Sequence, residues 1–281
     1  NGDHHQDQPD LGVGHQRRRQ RRWPAQKAPG MTIPNEDQKV FWENFSAVWV
    51  DQRRELDGLM APVLNAVLDR ADLADGQTVL DVGCGTGTST IRAAALVAPS
   101  GRVIGADIAE QMLAYARTRS ADIDNIEFQT VDVAQHAFED ASFDRVISRF
   151  GVMFFDDPVA AFTRIRCAMK PGGRLVMACW GPLAANPWFR SPMYAAKAQL
   201  GAPPAVDPDA PGPLAFRDIE RVTCILKAAG YQEIVADVEC LKLTPPGDLR
   251  AVATHAASIG PTSRTVEHFK ADTSDVAAIV D

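Results

Sequence analysis

The spacing of hydrophobic positions changes several times along the chain, and each change marks a predicted element. Over residues 36–71 the apolar side chains recur at helical spacing, which predicts two helices, with Pro62 in the first turn of the second. From residue 76 to Trp180, short apolar runs alternate with amphipathic stretches. This alternation predicts strands that are connected by helices.

Five strands are predicted, within the segments TVLDVG, RVIGADI, IEFQTVDV, FDRVISR and GRLVMACW. Strands that alternate with helices in this way form a parallel sheet that is covered on both faces. We therefore predict an α/β fold: a Rossmann-like, doubly wound, mostly parallel sheet with helices on both faces, preceded by an N-terminal helical cap.

The chain after Trp180 predicts a less regular region. Residues 181–216 are rich in Pro, Ala and Asp and predict a loop-rich insert or lid. A helix is expected next, ending at Gly230, then a strand over 231–243, then further helix. The predicted domain organisation is a disordered leader or tag-like extension (1–30), a helical cap (31–75), a core (76–180), the insert (181–216) and a C-terminal helix, strand and helical segment (217–281).

Charge is distributed unevenly between the first 30 residues and the rest. Residues 1–30 contain the basic run RRRQRR, few aliphatic side chains and no periodicity, which is typical of disorder. Composition changes abruptly at Met31, which we interpret as the native start. The whole chain carries a formal net charge of −7, and the remainder after residue 30 is more acidic still. This balance disfavours nucleic acid as a partner.

Composition excludes several other classes. The chain is 46% hydrophobic and 23% charged, as in ordinary globular proteins, and no apolar run is long enough to predict a membrane span. Its five cysteines are scattered without a C-x-x-C pair, which predicts reduced thiols in the cytoplasm, no metal site and no thiol set for a metalloid acceptor.

A glycine-rich turn follows the first predicted strand, in the stretch VLDVGCGTGTST (79–90). Gly83, Gly85 and Gly87 allow the backbone to turn tightly and approach a ligand. A dinucleotide fingerprint would place its third glycine at position 88, where this chain has Thr88. Asp81 fits poorly beside a pyrophosphate but could pair with the ammonium group of a ligand.

Carboxylates also follow the next two strands. Asp107 ends the second strand, where it could accept hydrogen bonds from both hydroxyls of a ribose. Asp132 ends the third strand, where it could accept from an adenine amino group, and Ile108 and Val133 could enclose the ring. Three carboxylates in register at successive strand ends therefore predict an adenosine ligand.

The ordered set VLDVGCGTGTST, GADIAEQML, VDVAQ, FDRVISRFGVMFF and MKPGGRLVMACW resembles the class I S-adenosylmethionine-dependent methyltransferases. The resemblance covers roughly residues 36–260 and is strongest to bacterial small-molecule enzymes of the ubiquinone/menaquinone C-methyltransferase-like group. It implies S-adenosyl-L-methionine as cofactor, S-adenosyl-L-homocysteine as product, and in-line methyl transfer to a carbon, oxygen or nitrogen of a small-molecule acceptor.

The resemblance also implies a cofactor site. The methionine end would be held near the glycine turn, Ser148 and Arg149, and Met112 would lie against the adenine. The residues implied are Trp49, Asp81, Gly83, Cys84, Gly85, Gly87, Thr88, Asp107, Ile108, Met112, Asp132, Val133, Ser148 and Arg149. Members of the family end with a further antiparallel strand, whereas this chain stops at DTSDVAAIVD. Two alternatives follow: either the C-terminal part is truncated, or the sheet is completed in another way.

No catalytic base is assigned from the sequence. His136 is interpreted as a surface residue, and Asp156 and Asp157 as caps of the helix that Pro158 opens. Trp180 and Arg149, at strand ends, are expected to form walls of the acceptor pocket. Two alternatives stay open: a nicotinamide-dependent oxidoreductase, and a non-catalytic module that binds an adenosine ligand. The sequence leaves the oligomeric state open.

Overall fold

A computed structural model describes residues 36–205, 207–258 and 260–281. The predicted disordered extension, residues 1–30, lies outside the described residues.

The described chain folds into helices and strands that alternate through its centre. The helices are α1 (Glu36–Asp51), α2 (Arg53–Leu59), α3 (Ala61–Ala71), α4 (Thr88–Val97), α5 (Glu110–Arg119), α6 (Pro158–Ala168), α7 (Pro187–Leu200), α8 (Ile219–Ala228), α9 (Leu249–Ser258), α10 (Gly260–His268) and α11 (Thr273–Val280). The strands are β1 (Thr78–Val82), β2 (Arg102–Asp107), β3 (Ile126–Thr130), β4 (Phe143–Arg149) and β5 (Met169–Ala178), and short 3-10 helices occupy Val152–Phe154 and Leu183–Ala185.

The five strands form one parallel sheet in the order β3-β2-β1-β4-β5. Leu80 of β1 lies between Ile104 of β2 and Val146 of β4. The strand order reverses between β1 and β4, and in such sheets ligands bind in the crevice beyond the carboxyl ends at this point. The predicted α/β fold with a doubly wound sheet is confirmed.

Alternate residues of the central strands enter two separate cores, one on each face of the sheet. Val79 and Val103 pack with buried side chains of α3 and α4, including Leu64 and Val97. Leu80, Ile104 and Val146 pack on the opposite face with residues of α6 and α8, including Phe162, Ile165 and Ile225. Because both faces are covered at the centre of the sheet, the middle of each central strand is largely apolar.

The N-terminal helices and the predicted insert differ from the sequence interpretation. Residues 36–71 form three helices rather than two, because the backbone departs from helical dihedral angles at Gln52 and Met60, where ψ is 9° and 5°. Pro62 does occupy a first turn, that of α3. Residues 187–200, predicted as part of a loop-rich insert, form α7, which buries Phe189, Met193 and Ala196.

The predicted strand over residues 231–243 is wrong, because this segment contains no strand. Its Val235 and Val238 side chains are 84% and 71% exposed. The segment faces β5 across an open groove of about 1650 Å³, so the backbones do not pair. Alternation of apolar and polar residues predicts a segment with one apolar and one polar face. Such a segment forms a strand only where another strand lies within hydrogen-bonding distance.

Two backbone turns meet at the centre of the sheet's carboxyl edge. Gly83 follows β1 and has a φ of +69°, and Gly151 follows β4. A Cβ atom on Gly83 would lie 2.6 Å from the Cα atom of Gly151, and one on Gly151 would lie 2.7 Å from the Cα atom of Gly83 and would also clash with the carbonyl oxygen of Val82. Only glycine at both positions permits this contact.

We predict that Gly151→Ala destabilises the protein by about 1–3 kcal/mol or more, because the added methyl group meets backbone atoms that have no rotamer with which to yield. Urea unfolding measures the change. Gly58→Ala is the control, since a Cβ atom there has no neighbour within 4 Å, and alanine in a helix interior is about 1 kcal/mol better than glycine. Equal stability of Gly151→Ala and the wild type would contradict the contact.

Candidate functional site

A cavity of about 200 Å³ lies beyond the carboxyl ends of the strands. Its floor is formed by the turns that follow β1, β2 and β4 and by residues 131–133 after β3. Helices α1 and α2 supply further lining residues, and so do α7 and α10. The cavity therefore occupies the crevice where the topology predicts a ligand.

The structure brings most of the predicted site residues to this cavity. Gly85, between the first and last glycines of the turn, has a φ of +54° and lines the cavity. A Cβ atom there would lie 3.6 Å from the Met112 sulfur, an ordinary van der Waals distance. The predicted residues that line the cavity are Trp49, Gly83, Cys84, Gly85, Asp107, Ile108, Met112, Asp132, Val133 and Arg149.

Four predicted residues do not line it: Asp81, Gly87, Thr88 and Ser148. Ser148 is buried and donates a hydrogen bond of 2.8 Å to the carbonyl oxygen of Val82. The Thr88 hydroxyl donates to Asp57 Oδ2 at 2.7 Å. Gly87 packs against side chains of α5 and β3. These residues hold the turn in shape, while its backbone and neighbours face the cavity.

Asp81 lies fully buried beneath the glycine turn. Its Oδ2 accepts hydrogen bonds from Ser89 Oγ at 2.5 Å and Thr90 Oγ1 at 2.7 Å. Its Oδ1 has no hydrogen-bond partner among the described residues. Burial raises the pKa of this carboxyl group to about 6, and the two hydroxyls and the nearby charge of Arg149 limit the increase.

Asp107 is held rigidly at the end of β2. The backbone N–H of Gly85 donates to Oδ2 at 2.8 Å, and that of Ala109 donates to Oδ1 at 2.9 Å. Burial raises its pKa, and these backbone donors oppose the shift. Each carboxylate oxygen has about two acceptor sites, so both can accept a further hydrogen bond from a ligand. Asp132 is oriented similarly, by the N–H of Ala134 at 2.9 Å.

Arg149 lines the cavity from the end of β4, and its side chain is only 17% exposed. Its Nη2 lies 3.7 Å from Asp57 Oδ1, whereas Nη1 is buried without a hydrogen-bond partner in the described chain. Burial lowers the pKa of this guanidinium, and Asp57 and Asp81 oppose the shift. An arginine remains protonated under such conditions, so a positive charge faces the cavity.

Phe150, the residue after Arg149, begins an aromatic part of the cavity wall. Phe150 has a φ of +69°, a left-handed conformation that is unfavourable for a bulky residue and is often found at functional sites. Its ring stacks on Trp180, with centroids 4.5 Å apart and planes 4° from parallel. Trp180 also meets Phe189 edge to face at 4.6 Å. Trp180 and Arg149, predicted as pocket walls, both line the cavity.

Sequence reasoning missed most of the side chains that α1 and α2 contribute. Phe41, Phe45 and Trp49 line the cavity together with Trp42. They recur at intervals of four and seven residues, which places them on one helix face. This spacing could have been recognised in the sequence as an aromatic face of the helix. Arg53 and Asp57 of α2 also line the cavity, and no pattern in the sequence distinguishes them from solvated helix residues.

Other candidate groups have structural roles. Burial raises the pKa of the Cys84 thiol well above its usual range, which fits a packed residue rather than a nucleophile. Asp157 accepts from the N–H of Ala160 and caps α6, as predicted. The His136 ring packs edge to face on Phe138. Across the described ranges, no three His, Cys, Asp or Glu side chains are grouped to hold a metal ion.

Comparison with known proteins assigns the central part of the chain. The model of a methyltransferase domain family matches residues 73–201. These residues contain all five strands, the glycine turn and Asp107. Residues 73–201 are therefore similar to a methyltransferase domain, and are called the methyltransferase domain. The parts of the cavity wall that α1, α2 and α10 form lie outside the residues that match the family model.

Two curated relatives are similar to part of this chain. A demethylmenaquinone methyltransferase of Staphylococcus aureus is 38% identical over 101 residues, which cover 36% of this chain and 42% of the relative. An uncharacterized 37.1 kDa protein in transposon TN4556 of Streptomyces fradiae is 37% identical over 113 residues, 40% of this chain and 33% of that protein. The chain thus spans about a third to two fifths of the length of these relatives.

One solved structure has a similar fold over about two thirds of this chain. A chain in the complex between the Haloferax volcanii Trm112 methyltransferase activator and a methyltransferase is 21% identical, with a TM-score of 0.50. The similarity covers 67% of this chain and 76% of that chain. Within the residues that the structure describes, no helix has the length and apolarity that a membrane crossing requires.

The raised pKa of Asp81 predicts a pH-dependent stability. The unfolded carboxyl group titrates near 3.8 and the folded one at about 6. The folded state therefore binds this proton more tightly, and the resulting stabilisation is complete below about pH 4 and is lost as the pH rises through 6. We expect Asp81 to contribute a slope of up to about 1.4 kcal/mol per pH unit in this window, which Asp81→Asn removes.

Urea unfolding of the wild type and Asp81→Asn from pH 4 to pH 7 measures the difference in slope. Asp237→Asn is the control, because Asp237 is an exposed carboxylate whose pKa is lowered by Arg70, so its titration falls below this window. Parallel wild-type and Asp81→Asn profiles would contradict the assignment.

Proposed function

We propose that this protein is an S-adenosylmethionine-dependent methyltransferase that acts on a small-molecule acceptor. The observation that carries the proposal is Asp107, a half-buried carboxylate that two backbone N–H groups fix at the cavity. It lies within a methyltransferase domain. Its oxygens are suited to the two ribose hydroxyls of the cofactor, and Asp132, Ile108 and Val133 are suited to the adenine.

The methionine end of the cofactor fits the charges around the glycine turn. Asp81 provides a fixed negative charge beneath the turn, with an unpaired Oδ1 atom, and Arg149 provides a positive charge at its rim, with an unpaired Nη1 atom. A zwitterionic amino-acid group carries the complementary pair of charges. The carboxylate of such a group can pair with Arg149 at the cavity, and its ammonium group is attracted by the charge of Asp81 beneath the turn.

The acceptor half of the cavity is aromatic. Trp42 of α1 meets Phe154 edge to face at 5.0 Å and Trp49 at 5.6 Å, and the stacked pair of Phe150 and Trp180 lies beside Arg149. Such walls favour a largely apolar, planar acceptor. The name of the relative from Staphylococcus aureus, a demethylmenaquinone methyltransferase, is consistent with an acceptor of this kind.

Bound S-adenosylmethionine supplies an electrophilic methyl group on a sulfonium. The chain contributes orientation: Asp107 and the glycine turn fix one partner, and the aromatic side chains fix the other. Alignment of two reactants can contribute about 7–11 kcal/mol of barrier lowering. The aromatic walls also exclude water, which protects the transfer from hydrolysis. The scattered free thiols fit a reducing compartment, and we propose a cytoplasmic location.

We predict that S-adenosylmethionine and S-adenosylhomocysteine both bind the wild type and that Asp107→Ala weakens both by about 10–100-fold, the effect of losing hydrogen bonds to a charged group. Calorimetric titration measures these affinities, and Asp237→Ala, on the exposed surface, is the matched control with unchanged binding. A folded wild type that binds neither compound would refute the proposed function.

Turnover is tested separately with radiolabelled S-adenosylmethionine and a panel of phenols, quinols and amines. We predict transfer to planar, apolar acceptors, and we predict that Trp180→Ala raises the KM for the acceptor by about tenfold through the lost aromatic contact, while cofactor affinity stays within about twofold of the wild type. Tight cofactor binding without transfer to any acceptor would favour the non-catalytic binding module instead.

A further inference from the structure

Asp57 of α2 lies where the N-terminal helices meet the methyltransferase domain. Its side chain is 17% exposed. Oδ2 accepts a hydrogen bond of 2.7 Å from Thr88 Oγ1, at the first residue of α4. The same carboxylate lies near residues at the ends of α5 and β4, Arg119 and Arg149. One side chain thus connects α2 to three elements around the glycine turn.

Three guanidinium groups surround this single carboxylate. The nearest atoms of Arg53, Arg119 and Arg149 lie 3.4, 3.9 and 3.7 Å from its oxygens. Charge-assisted hydrogen bonds of this type are normally about 2.7–2.9 Å long, so Asp57 holds each arginine at longer range. One negative charge among three positive ones leaves the rim of the cavity positive, which suits an anionic ligand group.

The orientation of Arg149 shows which edge of its guanidinium is available. Nη2 faces Asp57 Oδ1, and Nη1 lies buried without a hydrogen-bond partner among the described residues. Arg53 and Arg119 are engaged elsewhere: Arg53 Nε donates to the Tyr115 hydroxyl at 3.1 Å, and Arg119 Nη1 to the carbonyl oxygen of Thr86 at 2.7 Å. Arg149 lines the cavity, and its Nη1 is a buried donor that no described residue satisfies.

We propose that Asp57 is a positioning residue that holds Arg149 so that its free edge meets the carboxylate of the bound cofactor. The inference rests on the proposed function, because it assumes that the ligand is S-adenosylmethionine or its product. A guanidinium fork can bind a carboxylate through two parallel hydrogen bonds only if its plane is fixed. Asp57 fixes that plane from α2, so binding of the cofactor carboxylate depends on the docking of α2.

The test compares two ligands that differ in the group Arg149 would bind. S-adenosylhomocysteine carries the amino-acid group, and 5′-methylthioadenosine has the same adenosine and a thioether but no amino-acid group. We predict that Asp57→Asn weakens S-adenosylhomocysteine about tenfold or more and leaves 5′-methylthioadenosine within about twofold, the factor of ten corresponding to about 1.4 kcal/mol. Asparagine retains an oxygen acceptor for the Thr88 hydroxyl, so the substitution chiefly removes the charge.

A double-mutant cycle tests whether the effect passes through Arg149. Arg149→Leu alone should weaken S-adenosylhomocysteine selectively, and Asp57→Asn should add no more than about twofold in its background. Asp209→Asn is the matched control, because Asp209 is also a carboxylate shared by two arginines, Arg217 at 3.0 Å and Arg221 at 3.3 Å, and lies outside the cavity. It should leave both affinities unchanged.

Equal weakening of both ligands by Asp57→Asn would overturn the proposal, since Asp57 would then act by holding the fold. An unchanged affinity for S-adenosylhomocysteine, or independent effects in the double mutant, would overturn it as well. These outcomes differ from failure of the proposed function, in which the folded wild type binds neither ligand. Urea unfolding of each variant establishes that the proteins compared are folded.

Discussion

The contact between Gly83 and Gly151 determines the geometry of the whole carboxyl edge of the sheet. The turns after β1 and β4 touch through their backbones, with no room for a Cβ atom on either side. The contact fixes the position of the turn after β1 relative to the turn after β4. The glycine turn therefore presents its backbone to the cavity, and the chain immediately before Gly151 brings Arg149 and Phe150 to the opposite side of it.

The sequence was sufficient to predict the sheet and the half of the cavity that this sheet forms. Short apolar runs that alternate with amphipathic helices are typical of a parallel sheet, so β1 to β5 and the carboxylates at or just beyond the ends of β2 and β3 could be predicted from the local pattern. Asp107 and Asp132 lie at the cavity because strand direction alone puts them there. The same logic failed for Thr88 and Ser148, because position in the chain does not show whether a hydroxyl faces a ligand or a neighbouring element.

The remainder depended on contacts between distant parts of the chain. Asp57 is one acidic residue among several on a helical pattern, and only packing of α2 on the glycine turn brings it close to Arg149. Residues 231–243 alternate as a strand does, yet they lie across a groove from β5 without pairing. In both cases the local sequence pattern described the residues correctly, but their contacts depended on which distant parts of the chain lay near them.

Two parts of the cavity wall, at the glycine turn and at Trp180, follow strands that differ in their protection by neighbouring strands. β1, which leads into the glycine turn, is paired on both sides, whereas β5 is the last strand in the sheet and has β4 as its neighbour. Local opening is easier at an edge than at the centre of a sheet. We therefore expect the wall at Trp180, two residues beyond β5, to open locally more easily than the wall at Gly85 or Asp107. Under the proposed function, Gly85 and Asp107 would hold the cofactor in one pose, while the wall at Trp180 would adjust its shape to the acceptor.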